Sequence, residues 1–129
     1  MRRLGWLLIG MVLCSCTSSA QRLPMPDGYR VWVMNAREVY LANSEDVLIV
    51  GPKLVALGVS DHVIVTQNSS EDVTINGFAN TPGYAVLDTR TGKFVAGLSM
   101  ESMKDKVINL GVPIPEMRPA SEWAGSERR

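Results

Sequence analysis

The stretch GYAVLDTRTGKFVAGLSMESMKDKVINLGVP, Gly83 to Pro113, decides the fold class, because its hydrophobic period changes midway. Tyr84, Val86 and Asp88 alternate with Ala85 and Leu87, the period of two of a strand, and Phe94-Val95 resumes it after a turn. Asp88 and Thr89 can hydrogen-bond the turn backbone, and Gly92 supplies the left-handed conformation of a bulged loop. From Ser99 the spacing becomes helical. Met103, Val107 and Leu110 recur on one face, with Met100 and Ile108 broadening the stripe. Ser99 is a good N-cap, and Glu101 places negative charge in the first turn. Gly111 suits a left-handed C′ position, Val112 can pack back, and Pro113 prevents continuation. A hairpin followed at once by an amphipathic helix over 100–110 predicts an α+β domain with the helix laid on one sheet face.

Upstream, YRVWVM (Tyr29–Met34) sets Tyr29, Val31 and Val33 against Arg30, Trp32 and Met34. Asn35-Ala36-Arg37 reads as a turn, and EVYLA (Glu38–Ala42) completes a second hairpin. DVLIV (Asp46–Val50) is short and β-branched, which predicts a central strand, and Gly51-Pro52 ends it because proline offers no ladder N–H. KLVALGV (Lys53–Val59) admits a helix, but its length and β-rich flanks favour a strand. HVIVTQ (His62–Gln67) alternates again. Asn68–Pro82 is polar and turn-rich, and is expected to be mostly an exposed loop with a brief edge strand at 73–75. The reading gives a small antiparallel β-sheet domain of about six strands over residues 29–112, with one C-terminal helix. Residues 113–129 lack periodicity and are expected to form a disordered tail. The run YAVLDTRTGKFV also resembles part of a blade in quinoprotein-type β-propellers. That likeness covers one hairpin only, and a chain this short cannot close a four-blade ring, so it implies hairpin geometry and no function.

The N-terminus supplies an address. Met1-Arg2-Arg3 precedes a short apolar run from Leu4, followed by Ser15, Thr17, Ser18, Ser19 and Ala20, the anatomy of a secretory signal. A membrane span needs about 20 apolar residues, more than lie between Leu4 and Cys16. Leu13-Cys14-Ser15-Cys16 resembles the lipobox of bacterial lipoprotein precursors, apart from Cys14 at the second position. The resemblance implies cleavage after residue 15 and acylation, typically with palmitate, at Cys16. An ordinary cleaved signal and an uncleaved anchor are the alternatives. Residues 1–15 are then the signal peptide and 16–28 a lipidated flexible tether. Thr17 after the lipidated position favours the outer membrane of a diderm host, its periplasmic face.

Removing Arg2 and Arg3 lowers the 13 basic residues to 11 against 13 acidic ones, a net charge of −2. That balance offers no basic stripe for nucleic acid. With Cys14 removed and Cys16 acylated, no intramolecular disulfide is expected. His62 is the only imidazole, so the usual zinc ligand sets are missing, and no metal or cofactor is expected. Ser60-Asp61 reads as the break before the strand that starts at His62, and strand alternation applied to the adjacent pair should point Asp61 to the opposite face and orient the ring badly. Glu45-Asp46 and Glu71-Asp72 read as turn residues rather than an acid–base pair, and NSSEDVTIN (Asn68–Asn76) lacks the EF-hand spacing for calcium. Trp32 and Tyr40 would form a contact patch if they share an exposed face. The expectation is a membrane-anchored, non-enzymatic binding module of the bacterial envelope with an unidentified protein partner, of immunity, inhibitor or exclusion type. The alternative is a structural accessory subunit of an envelope complex.

Overall fold

The computed structural model describes residues 25–124, so the expected signal peptide, Cys16 and most of the expected tether lie outside the described residues. The described chain is mostly antiparallel β-sheet with two helices. β1 (Arg30–Asn35), β2 (Glu38–Ala42) and β3 (Leu48–Val50) form a first sheet in that order. β4 (Leu54–Ser60), β5 (Val63–Asn68), β8 (Gly83–Asp88) and β9 (Phe94–Leu98) form the main sheet in that order. β10 (Arg118–Pro119) extends its β4 edge, and β6 (Thr74–Ile75) pairs only with β7 (Phe78–Ala79). α1 spans Met100–Asn109 and α2 spans Ala120–Ala124.

The layers follow from β5. Val63, Ile64, Val65 and Thr66 are all buried, so both faces of this strand must be covered. Ile64 points into a cluster with Leu57, Leu87, Val31, Leu41 and Trp123, roofed by the first sheet and α2. Val63 and Val65 point the other way, into a cluster with Val86, Met103, Val107 and Val112 beneath α1. Each buried Val or Leu contributes about 1.5–3 kcal/mol relative to exposure, and alternate residues of one strand supply both clusters.

The two hairpins and the helix form as their residues dictate. Trp32 pairs with Tyr40 across β1 and β2, and the Asn35 side chain accepts from Arg37 N at 2.8 Å in the turn. At the β8–β9 turn, Arg90 N donates to the Asp88 carboxylate at 3.0 Å and Gly92 adopts φ +78°. Ser99 Oγ accepts from Ser102 N at 3.1 Å, capping α1. Gly111 has φ +81°, and Val112 is buried against the helix.

The structure departs from expectation in several places. Strands divide between stacked sheets instead of a single one. DVLIV lies at the edge of the first sheet, because the chain leaves that sheet at Gly51-Pro52 and enters the main one as β4. The fully buried centre is Val63–Thr66 of β5. Met100 and Ile108 do not widen the helix stripe: they are 50% and 59% exposed, since the groove under α1 admits only Met103, Val107 and half-buried Leu110. Pro26–Gly28 form a 3-10 turn, with the preceding Met25 against the larger cluster, so this end of the expected tether is docked.

The largest departure is at the C-terminus. Residues 118–124 are folded: Arg118 and Pro119 pair with Leu57 and Ala56, and Ala120, Trp123 and Ala124 enter the larger cluster. Trp123 Nε1–H donates to the Leu57 carbonyl at 3.0 Å, and the indole is 6% exposed. One aromatic anchor on a five-residue helix generates no readable period. Trp123→Ala is expected to destabilise the domain by about 3–5 kcal/mol, the range for a buried large aromatic. Glu122→Ala, which loses only an exposed pair with Arg118, should shift stability by about 1 kcal/mol or less. Urea unfolding of both variants checks the contrast.

Candidate functional site

The sequence-predicted contact patch assembles in part. Trp32 and Tyr40 are direct cross-strand partners, as their shared face requires. Trp32 is half-buried, but Tyr40 is only 2% exposed and is unavailable to a partner. Phe78 of β7 meets its ring edge-on, with centroids 5.5 Å apart and planes at 78°. Tyr40 Oη donates to Glu38 Oε2 at 2.6 Å. Gly51 lies so close to the Tyr40 ring that a Cβ there would collide with it. The β6–β7 hairpin covers Tyr40, and that hairpin falls within the segment expected to be mostly exposed loop. Asn76 (φ +53°) and Gly77 (φ +81°) form its turn. An Asn-Gly pair between Thr74-Ile75 and Phe78-Ala79 is the sequence signal that marks it.

That segment is pinned at both ends by buried asparagines. Asn80 Nδ2 donates to the Ser69 and Glu71 carbonyls at 3.0 and 2.7 Å, and Asn68 Nδ2 donates to Asn80 Oδ1 at 2.9 Å. Beside this clasp lies a cavity of about 60 Å³ whose lining includes Val50, Thr66, Asn68, Phe78, Ala85 and Phe94.

His62 is placed differently from expectation. Asp61 adopts φ +54° in the β4–β5 turn, which breaks strand alternation and brings its Oδ2 to 3.1 Å from His62 Nδ1. Asp88 Oδ1 lies 4.0 Å from Nε2, so the ring stands between two carboxylates. The neighbouring hydroxyl, Thr89 Oγ1, lies within hydrogen-bond distance of Asp27 and of the His62 carbonyl, and its single proton serves those acceptors. These contacts tie the Pro26–Gly28 turn to the β8 end of the main sheet. The arrangement orients the imidazole and fixes the strand ends. The carboxylate pairs are likewise engaged locally: Asp46 holds Arg30 at 2.9 Å, and Glu71 lies 3.8 Å from Lys53.

A second concavity of about 210 Å³ runs between α1 and the β8–β9 hairpin. Val86, Val95 and Leu110 supply apolar lining, and Lys93, Lys106 and Asp88 stand on it. Among the described residues β9 is an unpaired edge of the main sheet, and Phe94 and Val95 are each 38% exposed there. Sequence periodicity located the hairpin and the helix but gave no sign that they enclose a groove.

No family model matches the chain, and neither the curated proteins nor the solved structures include a match to it.

Burial, reinforced by the Glu38 hydrogen bond and charge, pushes the Tyr40 phenol from its usual value of 10 up to about 12. The unfolded chain would lose this proton near pH 10 and the folded one near pH 12. The stabilisation is therefore complete below pH 10 and is lost as pH rises to about 12. Urea midpoints are expected to fall across that window, and Tyr40→Phe should remove most of the slope. The remainder belongs to Tyr29, whose phenol is also raised, by burial and then by the Asp27 charge.

Proposed function

We propose that this chain is a bacterial lipoprotein, anchored through Cys16, whose domain is a non-catalytic binding module in the cell envelope. The sequence Leu13-Cys14-Ser15-Cys16, behind an arginine pair and a short apolar run, carries this reading. The fold is consistent with it, because the described domain is already docked at Met25, nine residues beyond Cys16. Nine extended residues reach at most about 30 Å, so the tether holds the domain close to the lipid surface. Two or more acyl chains on one residue give stable attachment, each buried CH₂ contributing about 0.8 kcal/mol.

The surface best suited to a partner is the rim between α1 and β9. An unpaired strand edge can accept a further strand from another chain, and two exposed apolar side chains adjoin it. Lys93 and Lys106 outnumber Asp88 on the groove, which favours an extended protein segment carrying acidic residues. This is a binding reading of immunity, inhibitor or exclusion type.

Cys16→Ala is expected to abolish incorporation of a fatty-acid analogue and release the protein from the membrane fraction; continued labelling would end the lipoprotein reading. A Lys93→Glu, Lys106→Glu double variant should lose the partner captured by wild-type chain from detergent-solubilised membranes. Undiminished capture of the same partner would exclude the groove as its contact surface.

A further inference from the structure

Thr66 follows three buried apolar residues, Val63, Ile64 and Val65, and is itself only 1% exposed. Its hydroxyl has no hydrogen-bond partner within the described structure. A buried hydroxyl left unpaired is unfavourable, whereas a valine of nearly the same shape would carry no such penalty. Thr66 on this strand therefore needs a reason other than packing.

Asn68, two residues on and facing the same side, presents a second free oxygen. Its orientation is fixed from outside. The Asn80 amide atom between the Ser69 and Glu71 carbonyls must be nitrogen, since both neighbours are acceptors. Asn80 Oδ1 is then the acceptor for Asn68 Nδ2, which also lies 3.4 Å from the Gly51 carbonyl. Flipping Asn68 would set oxygen against two oxygens. Asn68 Oδ1 is thus fixed as an acceptor, and it is buried without a partner among the described residues.

Both residues line the cavity of about 60 Å³, whose remaining walls include Val50, Phe78, Ala85 and Phe94. A cavity of roughly 150 Å³ holds benzene, so this one takes about two or three heavy atoms. None of its lining residues is ionisable, which disfavours a charged group, because an unpaired buried ion is heavily penalised. The occupant must donate to Asn68 Oδ1 and exchange a hydrogen bond with Thr66 Oγ1. A single hydroxyl does both, and a short apolar stem matches the walls.

We propose that this cavity is a binding site for a small neutral alcohol, or for the hydroxyl end of a larger neutral molecule, held by Thr66 and Asn68. The site does not depend on lipidation, so its failure and that of the lipoprotein reading are separate results. The test uses the full chain in detergent, isotopically labelled, titrated with ethanol and with acetonitrile, which is similar in size but lacks a strong donor. Ethanol is expected to give saturable amide shifts at Thr66, Asn68 and Ala85. Acetonitrile should bind roughly tenfold more weakly, the factor corresponding to about 1.4 kcal/mol. Thr66→Val should weaken ethanol binding by a similar factor, and Thr66→Ser should restore it. The acetonitrile comparison requires no variant, so a folding defect cannot rescue the proposal. Non-saturating shifts, equal binding of the two probes, or a site that exchanges water but ignores ethanol would each overturn it.

Discussion

Burial of β5 on both faces is the constraint from which the architecture follows. A strand reading Val63-Ile64-Val65 cannot leave either side in water, so the chain needs a cover above the main sheet and another below it. α1 supplies one cover through Met103 and Val107. The other must reach Leu57, Ile64 and Leu87 together, a wider area than one short helix spans. The first sheet and α2 share that task, with Trp123 filling the space between them. The passage from β3 to β4 at Gly51-Pro52 lets consecutive strands lie in different layers, and Val39 N donating to the Pro52 carbonyl at 2.8 Å ties them at the crossing.

Polarity enters where this packing ends. Beyond Val65, β5 continues as Thr66, Gln67 and Asn68 while remaining largely enclosed. There the first sheet gives way to the β6–β7 hairpin, and side-chain amides replace apolar contact as the means of holding the segment. Phe78 bridges the two regimes, meeting the Tyr40 ring on one side and contributing to the cavity wall on another. The domain is therefore secured by burial along most of its length and by a few directional bonds at one end. Those directional bonds leave Asn68 Oδ1 without a hydrogen-bond partner among the described residues.

Local features were legible in the sequence because local chemistry creates them. Ser99, Gly111 and Val112 announce a helix with defined ends, and Asp88 through Gly92 announce a tight turn. Alternation placed Val63 and Val65 opposite Ile64 without revealing that both faces are covered. What escaped depends on distant partners. Trp123 pairs with Leu57 across sixty-six positions, and nothing near ASEWA signals that contact. Asn68 and Asn80 look like ordinary loop residues until the backbone brings them together. Asn76-Gly77 was readable as a turn, but its short flanking runs gave little alternation to support a hairpin. The Asp61–His62 geometry was misjudged because strand alternation was extended into a turn where Asp61 is left-handed.

The larger cluster joins opposite ends of the described chain: Val31 of β1 and Trp123 of α2 meet in it. During synthesis the polypeptide presents its early strands long before their final cover exists. Val31 and Leu41 must stay wet, or be shielded by a chaperone, until the segment around residue 123 arrives. Assembly of that layer is thus a terminal event, and a ribosome-bound chain lacking this segment has no means of completing it.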